Sequence, residues 1–218
     1  MNFYRFLEIY NDKPFIESST YSLYTERPDI LRVQVSKWKE KGYLNELRKG
    51  LYIFSPKYLR KPVSKMFIAN YLVSPSYISM EYALGFYSLI PEKVNTITSI
   101  TTKKTNRFKN DIGLFTYNSI KEELFVGYEF INIEDEKIFM AKPEKAIMDY
   151  IYINKRKIKP INKKKALEFY ESIRLQNVYD IKIPTIRSYF KYYPEKMKII
   201  YDSLIEYVMI YKDSYKKM

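Results

Sequence analysis

The clearest hydrophobic pattern in the chain is a helical stripe in its first quarter. Leu31, Val35 and Trp38 fall at positions i, i+4 and i+7, which places them on one face of a helix. Gly42 follows, and glycine commonly ends a helix because it adopts the left-handed conformation without a steric penalty. The pattern therefore predicts a helix over Arg27 to Lys41.

A short hairpin is predicted directly after this helix. Two short β-rich segments, Leu44 to Arg48 and Leu51 to Phe54, surround a Lys49-Gly50 turn. A helix that can enter the major groove, followed at once by a basic hairpin, is typical of winged helix-turn-helix domains. The segment therefore favours DNA as the partner. The alternative interpretation is a solvated, charged helix beside a hairpin in an unrelated fold.

The hydrophobic residues in the rest of the chain predict further helices and strands. Further helices are predicted over Phe3 to Tyr10, Lys65 to Leu72, Ser79 to Leu89, Pro143 to Asn154, Lys163 to Leu175, Pro184 to Tyr192 and Glu195 to about Tyr211. Strands are predicted over Thr96 to Thr102, Gly113 to Ser119, Phe125 to Ile133 and Lys137 to Ala141. Residues 14–25 fit either a strand or a short helix, and Ser74-Pro75-Ser76 is predicted to join two helices.

These elements predict an α+β protein in two parts. Residues 1–60 form the predicted winged helix-turn-helix domain, and a polar, proline-containing connection follows it. Residues 61–218 form a mixed α/β domain with a small antiparallel sheet and a helical C-terminal third. The broad apolar face of the last helix either packs internally, which we favour, or forms a dimer seam.

Composition narrows the classes of function. The 218 residues are 46% hydrophobic and 29% charged, which indicates a globular chain, and the net charge of +13 favours an anionic partner. The chain has no Cys and no His, so it lacks thiol nucleophiles, disulfides and the commonest general base and metal ligand. We therefore expect no catalytic residues, no metal and no cofactor.

The hydrophobic pattern also predicts the cellular compartment of the protein. No apolar run approaches the roughly 18–20 residues that span a bilayer, and the N-terminus lacks the features of a secretory signal. We expect a cytoplasmic protein without a membrane partner.

Candidate DNA-binding side chains follow from the helix and hairpin. Arg32, Ser36 and Lys37 are expected to face base edges, with Arg32 suited to a bidentate guanine contact. The other candidates, at the helix ends and the hairpin tip, are Arg27, Lys39, Lys41, Arg48 and Lys49. A second basic group, predicted to lie in one connection and to offer additional phosphate contacts, comprises Lys103, Lys104, Arg107 and Lys109.

Two further motifs carry a resemblance to a known family. Pro75 to Pro91 (PSYISMEYALGFYSLIP) and Ala141 to Tyr152 (AKPEKAIMDYIY) resemble hallmark motifs of the AbiEi-like antitoxins of type IV toxin–antitoxin systems, which act in abortive infection. The hairpin sequence GYLNELRKGLYIF is similar to that family's wing. The resemblance covers roughly residues 1–155.

The resemblance implies a specific biology. Proteins of this family bind double-stranded DNA repeats in the promoter of their own operon and repress transcription. They also counteract a co-encoded nucleotidyltransferase-like toxin, generally without a stable complex. By position, the recognition helix would be Arg27 to Lys41 and the wing Leu44 to Phe54.

Two alternatives stay open. The chain is equally consistent with a stand-alone winged-helix regulator that has no toxin. A less favoured hypothesis is a nucleotide- or phosphoester-processing enzyme that uses Glu144, Lys145 and Asp149, although no phosphate-cradling glycine loop accompanies them.

Overall fold

Two β-sheets and eight α-helices organise residues 1–216, the part of the chain described by the computed structural model. The helices are α1 (Phe3–Tyr10), α2 (Pro28–Glu40), α3 (Lys65–Leu72), α4 (Met80–Phe86), α5 (Pro143–Asn154), α6 (Lys163–Ser172), α7 (Ile183–Tyr189) and α8 (Lys198–Lys216). The strands are β1 (Ile16–Glu17), β2 (Leu44–Arg48), β3 (Leu51–Phe54), β4 (Ser76–Ile78), β5 (Ile97–Thr101), β6 (Asn106–Asn110), β7 (Gly113–Ser119), β8 (Tyr128–Ile133) and β9 (Glu136–Ala141). The α+β class and the helical C-terminal third are confirmed.

Local sequence explains the boundaries of α2. Pro28 occupies the first turn, where its missing N–H has no helical partner, and Asp29 lies beside the positive end of the helix dipole. Gly42, at φ +71°, takes the left-handed conformation just after the last turn. Leu31 and Val35 are buried, as the stripe predicts.

Residues 14–25, for which the sequence fits either a strand or a short helix, contain one of each. Strand β1 pairs antiparallel with β3 and is followed at once by a 3-10 helix, Ser18–Leu23. The small sheet therefore has three strands in the order β1-β3-β2. Neither element is long enough to produce a distinct period in the sequence.

The hairpin β2–β3 packs on both of its faces. Leu44 and Phe54 join a core with α1 and α2, which also contains Phe6. Leu51 and Ile53 point the other way and join the larger core of the chain. Both surfaces of the hairpin are thus held in place, and its turn remains exposed.

The second sheet corrects the prediction of a small antiparallel sheet. It has six strands in the order β6-β7-β5-β4-β9-β8, and the pairs β4–β9 and β5–β7 are parallel. The central strand β4 begins at Ser76, which the sequence predicts to lie in a connection between helices, so that prediction is wrong. This strand has three residues, all buried, and is defined only by distant partners, so its sequence shows no alternation.

The C-terminal helices cover the larger core. On α8 the apolar face is buried internally, with Ile200, Leu204 and Val208 each fully enclosed. Internal packing of this face is therefore confirmed, and Met209 at its edge is half exposed. No helix in the described part of the chain is both long and apolar enough to cross a membrane.

Candidate nucleic-acid interface

The outward face of α2 carries the residues predicted to meet bases. Arg32, Ser36 and Lys37 are all exposed, opposite the buried stripe of the same helix. Val33 lies on the same side and is 55% exposed, so the face offers an apolar group among cations. An exposed methyl-bearing side chain of this kind can contact a thymine methyl group.

Two of the candidate cations on α2 are already paired. Lys39 Nζ lies 2.8 Å from Glu46 Oε2 on β2, and this hydrogen bond raises the pKa of Lys39. Arg27 pairs with Asp29 at 3.2 Å, and the hydrogen bond from Arg27 lowers the pKa of Asp29. Lys41 is exposed and makes no such pair among residues 1–216.

The hairpin tip is exposed but anchored. Arg48 and Lys49 are exposed, and Gly50 has φ +78°, which suits a glycine. The Gly50 carbonyl accepts a hydrogen bond from the Ser18 N–H at 2.8 Å. On the other side, Asn110 Nδ2 donates to the Leu47 carbonyl at 2.9 Å. The tip is thus fixed between the 3-10 helix and the large sheet.

The second basic group is divided by strand β6. Arg107 and Lys109 were predicted in a connection, but they lie on this edge strand, whose polar sequence NRFKN hides its strand character. Alternation along β6 places Arg107 and Lys109 opposite Asn106 and Phe108. Arg107 and Lys109 are exposed.

The remaining pair lines a cleft that also includes a residue of the hairpin. Lys103 and Lys104 follow β5 and line the same cleft as Arg48 of β2 and Lys137 of β9. We call this groove, of about 1180 Å³, the basic cleft. The sequence did not predict it, because its four cations come from three distant segments.

A buried polar cluster joins the two family-like motifs. Lys145 and Asp149 form an ion pair with exposures of 0% and 1%. The other oxygen of Asp149 accepts from Tyr77 OH at 2.9 Å and Ser79 Oγ at 2.8 Å, and Lys145 donates to Tyr193 OH at 2.9 Å. Burial and the adjacent Asp149 raise the pKa of Tyr77 well above its usual value.

The third residue of the hypothetical enzymatic set is also enclosed. Glu144 is 4% exposed, and its Oε1 accepts the Lys182 N–H at 2.8 Å, just before α7. The set therefore makes internal contacts that position helices. Among residues 1–216, no group of acidic side chains is arranged to hold a metal ion.

Comparisons with protein-family models and with curated proteins find no match to this chain.

Proposed function

We propose that the protein binds duplex DNA through residues 1–60, folded as a winged helix-turn-helix, and represses its own operon. The order of elements supports this: α1, β1, the 3-10 helix, α2, β2 and β3, with the sheet order β1-β3-β2. This is the order of elements in a winged helix, with the 3-10 helix in the place of the second helix.

The observation that carries the proposal is the exposed polar face of α2. An α-helix with its side chains is about 10–12 Å across, and the major groove is about 12 Å wide. Arg32, Ser36 and Lys37 would project from this face toward base edges, and Arg32 has the fork geometry that matches a guanine.

The other cations would position the domain on the backbone. Lys41 and Lys49 are exposed and free to reach phosphates. Arg48 has the same reach but also borders the basic cleft. Lys39 and Arg27 would have to exchange a carboxylate for a phosphate, so we expect them to contribute less.

The antitoxin role rests on the resemblance of the two motifs. Under this proposal the protein also counteracts a co-encoded nucleotidyltransferase-like toxin without a stable complex. A stand-alone regulator would bind DNA equally well. Co-expression with a neighbouring gene of that class separates the two: restored growth supports the antitoxin, and unrelieved toxicity supports the stand-alone regulator.

Gel-shift titration on the DNA upstream of its own gene tests DNA binding. Arg32→Ala and Lys37→Ala should weaken binding, and Arg32→Ala should also reduce discrimination against unrelated DNA, at a cost of about 1–3 kcal/mol. Lys164→Ala is the matched control, because Lys164 is an exposed cation on α6 that makes no ion pair among the described residues.

The salt dependence of the same titration gives a second readout. Removing a phosphate-binding cation such as Lys49 should reduce the magnitude of the slope of log K against log salt by about one. Wild-type affinity in Arg32→Ala and Lys37→Ala would refute the assignment of α2 to DNA. Absence of any salt-sensitive binding would refute the whole proposal.

A further inference from the structure

The basic cleft lies where the large sheet splits. Strands β4 and β9 are parallel but pair only at Ile78 and Met140. Below that point Asn70 of α3 takes the place of the missing strand, since it accepts from the Phe139 N–H at 2.7 Å and donates to the Phe139 carbonyl at 3.3 Å. The sheet edge is therefore satisfied while the two strands stay apart.

The charge of the cleft is strongly positive. Arg48, Lys103, Lys104 and Lys137 line it and are exposed. None of them forms an ion pair among residues 1–216. The one carboxylate of the lining, Glu17, instead accepts a hydrogen bond from another lining group.

The partner of that carboxylate is Tyr71. Its hydroxyl donates to Glu17 at 2.7 Å, and partial burial together with this bond raises the pKa of Tyr71 to about 12. The carboxylate is thereby fixed in place, and the four cations keep their capacity to bind an external anion.

The walls of the cleft are aromatic. Phe67 and Tyr71 both stack on Phe15, with ring centroids 5.8 Å and 4.1 Å away. Across the split, Phe125 lies 5.1 Å from Tyr128. These rings line the cleft, and aromatic side chains are groups on which a planar base can stack, whatever its identity.

A buried hydroxyl without a partner lies in the lining of the cleft. Ser76 lines the cleft, is 5% exposed, and its Oγ has no hydrogen-bond partner within the described protein. Its neighbour Thr101 instead donates to the Pro75 carbonyl at 2.7 Å and accepts from the Lys103 N–H at 3.1 Å. Thr101 thus fixes the backbone of Lys103 next to the cleft.

We propose that the basic cleft binds a nucleotide, with phosphates held by Arg48, Lys103 and Lys104 and the base stacked on the aromatic walls. Anionic groups and a planar base are the two features that a cationic, aromatic-lined cleft recognises together. The ligand is either a free nucleoside phosphate or the 5′-phosphorylated end of a single strand. The site shares Arg48 with the hairpin tip but includes no residue of the exposed face of α2, so the two binding activities can be tested with separate variants.

Anisotropy of a fluorescent N-methylanthraniloyl-ATP probe, titrated with the full-length protein, tests this. Unlabelled ATP should displace the probe. Adenosine and inorganic triphosphate should each compete about tenfold more weakly, because adenosine lacks the phosphates and triphosphate lacks the base. Tighter competition by a 5′-phosphorylated tetrathymidylate identifies a strand end as the ligand, and tighter competition by ATP identifies a free nucleotide.

Variants tie the binding to the cleft. Lys103→Ala/Lys104→Ala should weaken binding about tenfold or more, whereas Lys157→Ala/Lys159→Ala, which removes the same charge outside the cleft, should not. Equal competition by triphosphate and ATP, no binding of the probe, or wild-type binding in Lys103→Ala/Lys104→Ala would overturn the proposal.

Discussion

The buried ion pair Lys145–Asp149 belongs to the polar cluster that joins the two family-like motifs. A double-mutant cycle measures how much this pair contributes to the free energy of unfolding. Asp149 accepts from Lys145, Tyr77 and Ser79, so Asp149→Ala removes the acceptor of three buried donors at once. The ammonium of Lys145, at 0% exposure, would lose its counter-charge and keep the Tyr193 hydroxyl as its hydrogen-bond acceptor, together with contacts to the rings of Tyr77 and Tyr193.

The magnitude follows from the burial of these groups. Breaking a buried ion pair by removing one partner costs about 3–5 kcal/mol. Each buried hydroxyl left without an acceptor adds about 1–3 kcal/mol, although these terms overlap. We therefore expect Asp149→Ala to lose at least about 4 kcal/mol of unfolding free energy, a large part of the roughly 5–15 kcal/mol typical of a domain.

The two single substitutions should differ in how much unfolding free energy they remove. In Lys145→Met the carboxylate of Asp149 keeps both hydroxyl donors, Tyr77 and Ser79, so this change should cost less than Asp149→Ala. In Lys145→Met/Asp149→Ala no unpaired charge remains, and the double variant should be less destabilised than the sum of the two single changes by about 2–3 kcal/mol.

Urea unfolding followed by far-UV circular dichroism and by fluorescence of Trp38, the sole tryptophan, provides the measurement. Asp149→Asn, which keeps one acceptor oxygen for the two hydroxyls, is the second variant if Asp149→Ala does not fold. Additive single changes of under about 1 kcal/mol each would refute the reasoning, since they would mean that the charges are solvated in the folded protein.

Two further outcomes follow from the structure. Burial raises the pKa of Tyr77, Tyr193 and Tyr201 well above the usual value. Because the folded-state pKa exceeds the unfolded one, this stability is fully present below about pH 10 and is lost as the pH rises above it. Tyrosinate absorbance from these residues should therefore appear together with the loss of far-UV circular dichroism, and a reversible titration of all tyrosines in a still-folded protein would contradict this. Gly50→Ala should lower stability by about 1–2 kcal/mol, because an L residue resists positive φ, and its new Cβ would lie 2.6 Å from Ser18 Oγ. An unchanged melting temperature would show that the tip can relax.

Local sequence was sufficient for elements whose geometry depends on near neighbours. The bounds predicted for α1, β2, β3, α3, β7 and α5 match those of the structure. The hairpin is an example: Gly50 supplies the positive φ of the turn, and a short β-rich segment flanks it on each side. The exposed face of α2 follows in the same way from a single 3.6-residue period.

Strand β4, the basic cleft and the buried polar cluster depend on tertiary contacts. Strand β4 has three residues, and it exists because β5 and β9 bond to it from both sides. The basic cleft joins Arg48, Lys103 and Lys137, and the buried polar cluster joins Tyr77 to Asp149 across 72 positions. Contacts at such separations leave no periodic trace in the chain, because each depends on how several elements pack and not on the residues beside it.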